Sequence, residues 1–590
     1  MVHISDRGSQ VGGVGFCWAE ALASLGPTSM HQIVHRAALA GVSAVHALNA
    51  RRAHDGTDAE ILKANCATHI ASGLEPITTV DDCTQAVLDN AAAIASLGEL
   101  VGADTAWILT CTCLVLMMTI PGLALFYGGL SQAPNVLGTI MQSFSITCVI
   151  TTLWMIFGYS IAFAGNGDCT CDAYDPACPT GVLSDTCLKG HETCAEGNTV
   201  VGGPGKIWLK DVVRTGGSLP ESVFITFQAT FAIITAAIIT GSTAERMRFG
   251  PTLIFVAIWH LIVYCPLCHW EWGGGFMSSW GVLDFAGGDV VHISSGVSGL
   301  AASLIVGKRK CFAAGATPPP HNILLVFMGG ALLWVGWFGF NGGSAVAADQ
   351  YAGMAMMVTH ISASVGGLSW MIVEWVHTGK PSVLGAVSGA VAGLVVITPG
   401  SGYLDQTGAF ICGLTGGPVC YLGIKIKNLL GFDDALDAFG VHGIGGIWGG
   451  ILTGILANPE VSGGPGATCF TDATDEVKVG ECVMVDAVAK SSNACGAAFG
   501  NAEQIGIQLL GIVVTMIFSF IMTLIILVPM DMILKAATGK GIRVTEEAED
   551  MGLDLSEHGE SMVGHPPAGD KVEAVKMETP STVIESVSNE

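Results

Sequence analysis

The chain is 590 residues long, 51% hydrophobic and only 12% charged, and its mean hydropathy of +0.57 excludes a soluble globular protein in favour of a polytopic membrane protein. The formal net charge of −25 is concentrated in loops and at the two ends, so it reads as solvated surface and argues against a nucleic-acid partner. Among the 19 cysteines, Cys111, Cys113 and Cys148 sit inside apolar runs as small core residues, whereas others crowd two long loops.

Residues 1–103 hold no apolar run of the ~20 residues needed to cross a bilayer. A mostly disordered, extracytoplasmic N-terminal extension is expected there. Its basic, acid-poor part around His31 to Arg52 faintly resembles a targeting peptide without a signal-peptide core, and a gene-model extension accounts for it equally well.

From Trp107 onward eleven apolar segments follow, at 106–130, 136–164, 220–241, 250–272, 284–306, 321–341, 353–376, 382–398, 408–430, 437–457 and 503–533. The predicted fold is all-α, with eleven transmembrane helices in a domain over 104–538 and a tail over 539–590. An odd number puts the two ends on opposite sides. Arg246 and Arg248, the cluster Lys308 to Lys310, Lys380, Lys425, Lys427, Lys535, Lys540 and Arg543 fall on one face, which the positive-inside tendency makes cytoplasmic. The C-terminus is then inside and the N-terminus outside.

The same arithmetic places loops 165–219 and 458–502 on the outer face, where Cys169, Cys171, Cys178, Cys187, Cys194, Cys469, Cys482 and Cys495 can persist as disulfides. Zinc is the competing reading of Cys169 and Cys171, but the remaining spacing is irregular for a ligand set. No metal or other cofactor is expected.

Two stretches echo each other. DFAGGDVVHISSGVSGL runs from Asp284 to Leu300, and DAFGVHGIGGIWGGILTGI starts at Asp437. Each carries an acid and glycine before a histidine, with glycine one helical turn later: His292 with Gly296, and His442 with Gly446. Equating the fifth and tenth spans divides the chain into two five-helix repeats plus a final helix. An odd number of spans per repeat inverts the second copy and puts the working site near the midplane.

A histidine inside a span costs insertion energy and is read as functional. Gly446, Gly450 and Gly454 form a small-residue groove that permits close helix approach, so the two imidazoles could face each other and share a proton. Donation to a backbone carbonyl would explain either histidine alone, and the internal symmetry favours the pair. His260, His269, His360 and His377 lack that support and are left as core or interface residues.

Asp284 opens its span, where a carboxylate caps free N–H groups and can orient carbonyls near a cation. Trp270 and Trp272, at the outer end of the fourth span, suit membrane anchoring or a cation on the ring face, worth about 0.5–2 kcal/mol. Phe227 and Phe231 form an i, i+4 aromatic pair, and the sixth span supplies Trp334, Trp337, Phe338 and Phe340 before Ser344. Such a path disfavours a bare ion, whose idealised dehydration costs of order 20 kcal/mol. It suits a neutral molecule.

Over roughly 104–560 the chain closely resembles the Amt/Mep/Rh superfamily of ammonium transporters. The motifs that carry the resemblance are PGLALFYGGL at Pro121 to Leu130, NVLGTIMQ at Asn135 to Gln142, TGSTAERMRF, WGGGF, DFAGG with VVHIS, GWFGFNGGS at Gly336 to Ser344, and DAFGVHGIGGIWGG. An ammonium transporter of the plasma membrane is expected, and an enzyme is not, since no nucleophile with a base, metal-ligand cluster or phosphate loop stands out. The resemblance implies a homotrimer with one pore through each protomer. It implies outer recruitment of ammonium by Trp272, Phe231 and Ser344 with Asp284 as a structural acid, a gate of Phe231 and Phe340, a lining that includes Phe227 and Trp337, and a twin-histidine pair of His292 and His442. Trp272 and Ser344 favour the Amt/Mep branch over an Rh-like gas channel. Asp289 and Glu271 are charges that the pattern does not explain.

The tail resembles the family's cytoplasmic C-terminal segment, with Ser556 where related tails carry a regulatory hydroxyl. Phosphate there would add about 1.5 to 2 negative charges, and a cytoplasmic regulator could act on the tail. An ammonium receptor signalling through the tail remains the alternative function.

Overall fold

The computed structural model describes residues 101–164, 200–210, 212, 218–316, 318–463 and 494–562. Among these residues eleven helices are long and apolar enough to cross a membrane: α1 (Gly102–Leu130), α2 (Ala133–Phe163), α3 (Glu221–Thr243), α4 (Phe249–Ser279), α5 (Gly288–Val306), α6 (Ile323–Gly343), α7 (Gln350–Thr378), α8 (Val383–Gly400), α9 (Gln406–Leu430), α10 (Phe439–Leu456) and α11 (Glu503–Thr538). The predicted segments match them, with ends that shift by a few residues. The main difference is α4, which breaks at Gly273 and resumes to Ser279. The predicted extension, apart from its last residues, lies outside the described residues, as do all the loop cysteines except Cys495. That residue is disulfide-bonded.

Local chemistry sets the ends of these helices. Asn322, Asp349, Ser382 and Asp405 each accept hydrogen bonds from amides of the following turn, satisfying donors that a helix start leaves open. Gly379, Gly431 and Gly539 end α7, α9 and α11 in the left-handed conformation, which costs glycine no steric clash. Between helices, close approach replaces the hydrophobic driving force that lipid removes. At Gly329 of α6, for example, a Cβ would collide with the α1 backbone at Phe126.

The loops predicted to share the basic face do meet. Arg309, after α5, forks onto Asp433 with Nε–Oδ2 of 2.9 Å and Nη2–Oδ1 of 2.8 Å, and reaches Glu245, after α3, at 2.8 Å. Arg246 donates to the carbonyls of Gly307 and Asp433. Burial alone would raise the Asp433 carboxyl, but Arg309 and Arg246 outweigh it and hold Asp433 below the usual carboxylate range.

The tail docks on this face. Arg248 N donates to Ile542 O and Val544 N to Arg246 O, and two short helices follow, α12 (Glu546–Met551) and α13 (Leu553–His558). Asp554 Oδ1 accepts from Gly138 N at 2.7 Å, and Asn135 Oδ1 accepts from Leu553 N at 2.8 Å. The start of α2 and the tail therefore cap each other. Ser556 Oγ donates to Gly552 O at 2.8 Å inside this docked segment.

Candidate functional site

Both histidines sit in π-helical turns, Gly288–Ile293 at the start of α5 and Phe439–Gly443 at the start of α10. Such turns shift helix register and are frequent at functional sites, although three others, Met118–Leu123, Trp154–Gly158 and His260–Tyr264, occur in α1, α2 and α4. α5 runs towards the basic face and α10 away from it, so the equivalent helices are antiparallel and the repeat is inverted. A Cβ at Gly296 would strike the Gly443 backbone, and one at Gly446 would come within 3.1 Å of His292 Cβ and of Gly288 O. Each glycine makes room for the other helix's histidine turn. Gly450 and Gly454 face Ile512 and Gln508 of α11 instead, so the predicted groove serves two partners.

The result is a contact of 3.1 Å between His292 Nδ1 and His442 Nδ1. One nitrogen must donate and the other accept, while His292 Nε2 is buried with no partner. Next to the pair is a cavity of about 10 Å³ lined by Ile238, Val291, Leu333, Trp337, Phe340 and both histidines, among others. That is room for about one water-sized molecule. His442 also borders a larger cavity of about 180 Å³ with Tyr127, Glu374, Ser388, Lys425 and Asp437.

On the far side of the narrow cavity, Phe231 stacks on Phe340 at 4.3 Å between centroids and 28° between planes. Trp272 meets Phe231 edge-on at 5.9 Å, and its indole N–H donates to Asp284 O at 2.9 Å. Ser344 Oγ donates to Phe340 O at 2.9 Å, leaving oxygen lone pairs to accept. Trp337 packs against His292 at 5.5 Å and is anchored through Nε1 to Thr398 Oγ1 at 2.9 Å. Phe227 lies edge-on to Phe231 at 5.0 Å and against Gly343, so it backs the stacked pair.

Asp284 is a cap. Its Oδ1 accepts from Gly287 and Gly288 at 2.8 and 2.6 Å, and its Oδ2 from Asp289 and Val290 at 2.8 and 3.2 Å. Both oxygens are engaged in the cap, and its carbonyl holds the Trp272 indole.

The structure corrects the echo drawn to Asp437. The equivalent of Asp284 is Asp434, which stands eight residues before His442 as Asp284 stands eight before His292. Asp434 accepts from Ala438 N, Phe439 N and Gly440 N and from Ser242 Oγ. Asp437 instead adopts a φ of 63° and pairs with Lys427 at 2.5 Å. Equal spacing to the histidine is the available signal, and the nearby acids Asp433 and Asp437 obscure it.

Of the four histidines left as core or interface residues, His260 and His269 are buried, whereas His360 and His377 lie on exposed faces of α7. His269 Nδ1 contacts Ala162 O at 2.9 Å, His377 Nδ1 contacts Tyr421 OH at 2.6 Å, His260 stacks on Tyr264, and His360 lies beside Trp334 and Phe338.

The model of the Ammonium Transporter Family matches residues 106–563. The chain belongs to that family. An ammonium transporter of Bacillus subtilis is 42% identical over 462 residues, covering 78% of this chain and 97% of the relative. The crystal structure of Candida albicans Mep2 superposes with a TM-score of 0.62 at 33% identity, over 76% of this chain and 87% of that one. A structure described as a sensor Amt protein also superposes at 0.62, with 25% identity over 79% and 100% of the two chains. Family membership covers the eleven helices, both histidine turns and the docked part of the tail.

Proposed function

We propose that this ammonium transporter binds NH4+ on the face bearing Trp272, removes a proton, and passes NH3 along His292 and His442 while the proton moves separately through the imidazoles and water. The observation that carries the reading is the 3.1 Å imidazole contact beside a cavity with room for one small molecule. Aromatic faces and the Ser344 lone pairs hold a cation well. The Phe231–Phe340 stack and the apolar lumen do not, since idealised dehydration in such a medium costs of order 20 kcal/mol. Deprotonation reconciles these opposing requirements.

In this reading the Trp272 face is extracellular, the basic face is cytoplasmic, and the protein is a plasma-membrane homotrimer. The docked tail is regulatory, and phosphorylation of Ser556 would add charge to a segment whose neighbours include Glu549, Asp550 and Asp554. Growth of transporter-deficient cells on low ammonium tests the proposal: rescue supports transport. Failure to rescue with intact surface expression overturns it in favour of ammonium sensing through the tail.

A further inference from the structure

Asp289 shares a π-turn with His292, but its carboxylate is turned towards α11. The position a Cβ would take at Gly511 is 3.1 Å from Asp289 Oδ2, so glycine there lets the acid approach. Asp289 Oδ2 is buried without a hydrogen-bond partner, and so is Glu271 Oε1 on α4. The segments that carry the two acids are tied together through Asp284, whose carbonyl accepts from Trp272 Nε1 at 2.9 Å and whose Oδ2 accepts from Asp289 N at 2.8 Å, so the three acids lie in one another's field.

Beyond Gly511, α11 carries Thr515, Ser519 and Thr523 at four-residue spacing, all fully buried. Hydroxyls elsewhere in the spans donate to the carbonyl four residues back, as at Thr112, Thr139 and Thr235 with 2.7, 2.7 and 2.6 Å. Those of Thr515, Ser519 and Thr523 have no partner. At about 1.5 Å per residue they mark a seam of roughly 12 Å along the helix.

We propose that Glu271, Asp289 and the hydroxyls of Thr515, Ser519 and Thr523 form a buried, water-filled proton site beside the pore. Two neighbouring carboxylates in a low-dielectric interior repel unless a proton or cation lies between them. The titratable groups around them are Asp284 on the turn before α5, Tyr264 on α4 and Tyr403 between α8 and α9, and the buried face of α11 contributes none. None of these supplies a cation, so the acids share one proton, and water satisfies the remaining oxygens and hydroxyls.

The seam closes at both ends. Gln504 and Gln508 donate to Gly281 O and Leu283 O at 2.9 Å each, and Ile526, Leu527 and Met530 are buried at the other end. The site stores a proton and does not conduct it across the membrane. It stands or falls separately from the histidine mechanism.

The test uses the full chain in lipid. Infrared spectroscopy should show the C=O stretch of a protonated buried carboxylic acid at neutral pH, shifted in D2O and absent from both Glu271→Gln and Asp289→Asn. A high-resolution cryo-EM map of the unmodified protein should show ordered water between Asp289 and the α11 hydroxyls, which needs no variant to fold. The absence of that band, a dry seam with hydroxyls turned back to their own carbonyls, or a metal cation bridging the two acids would each overturn the proposal.

Discussion

The two ends of the inverted repeat use the same cap and differ in how the acids around it are compensated. Around Asp434, each neighbouring acid has a base: Asp433 and Glu245 hold Arg309, and Asp437 holds Lys427. Around Asp284, Glu271 and Asp289 stand without one. Backbone symmetry brings the two histidines together, whereas the acids around the two caps are matched by bases at the Asp434 end and not at the Asp284 end. In the proposed mechanism, geometry sets where the proton is handled and the aromatic face at Trp272 sets the side on which ammonium binds.

Breaking the shared geometry should have the largest effect, and equally from either half. Gly296→Leu or Gly446→Leu would push the opposing histidine turn away, and overpacking of this kind costs about 1–3 kcal/mol. Uptake of ammonium should fall to near background in each variant at unchanged surface level. Substantial uptake in either would contradict the close-approach account.

The caps sharpen the comparison at smaller scale. Loss of a capping side chain costs about 1 kcal/mol, so Asp284→Ala and Asp434→Ala should destabilise the purified protein by similar amounts in thermal unfolding. Uptake at low ammonium should fall further in Asp284→Ala, because Asp284 O holds the Trp272 indole. Asp437→Ala should be milder than Asp434→Ala in both assays, as the Asp437 side chain caps nothing.

Acid should separate the two faces. The Asp433 carboxyl is held below its ordinary range in the folded state, so its contribution is fully present above that range and is lost as pH falls through the folded value. Thermal stability should decline over that interval in the parent protein, and Asp433→Asn should flatten the decline. The smallest effect is expected for Ser556→Asp, which adds charge to a docked tail. Transport should change modestly, and unaltered transport would count against regulation there.

Much of this was legible in sequence for a physical reason: apolar runs, paired histidines and their following glycines are local signals. Trp272, Phe231, Phe340 and Ser344 were found by residue type and motif, and the structure gathers them at one end of the narrow cavity. What was illegible depends on register and distance in sequence. The π-turns rotate Asp289 away from the face its neighbour His292 occupies, and no local pattern marks that rotation. Arg309 neutralises Asp433 across 124 residues, so a row of acids reads as uniformly negative until its partners are placed.

The most direct measurement is current against ammonium in a planar or liposomal membrane containing the purified protein, compared with His292→Ala/His442→Ala at matched protein density. The account predicts that the ammonium-dependent current collapses in the double variant. Currents that persist unchanged would contradict it.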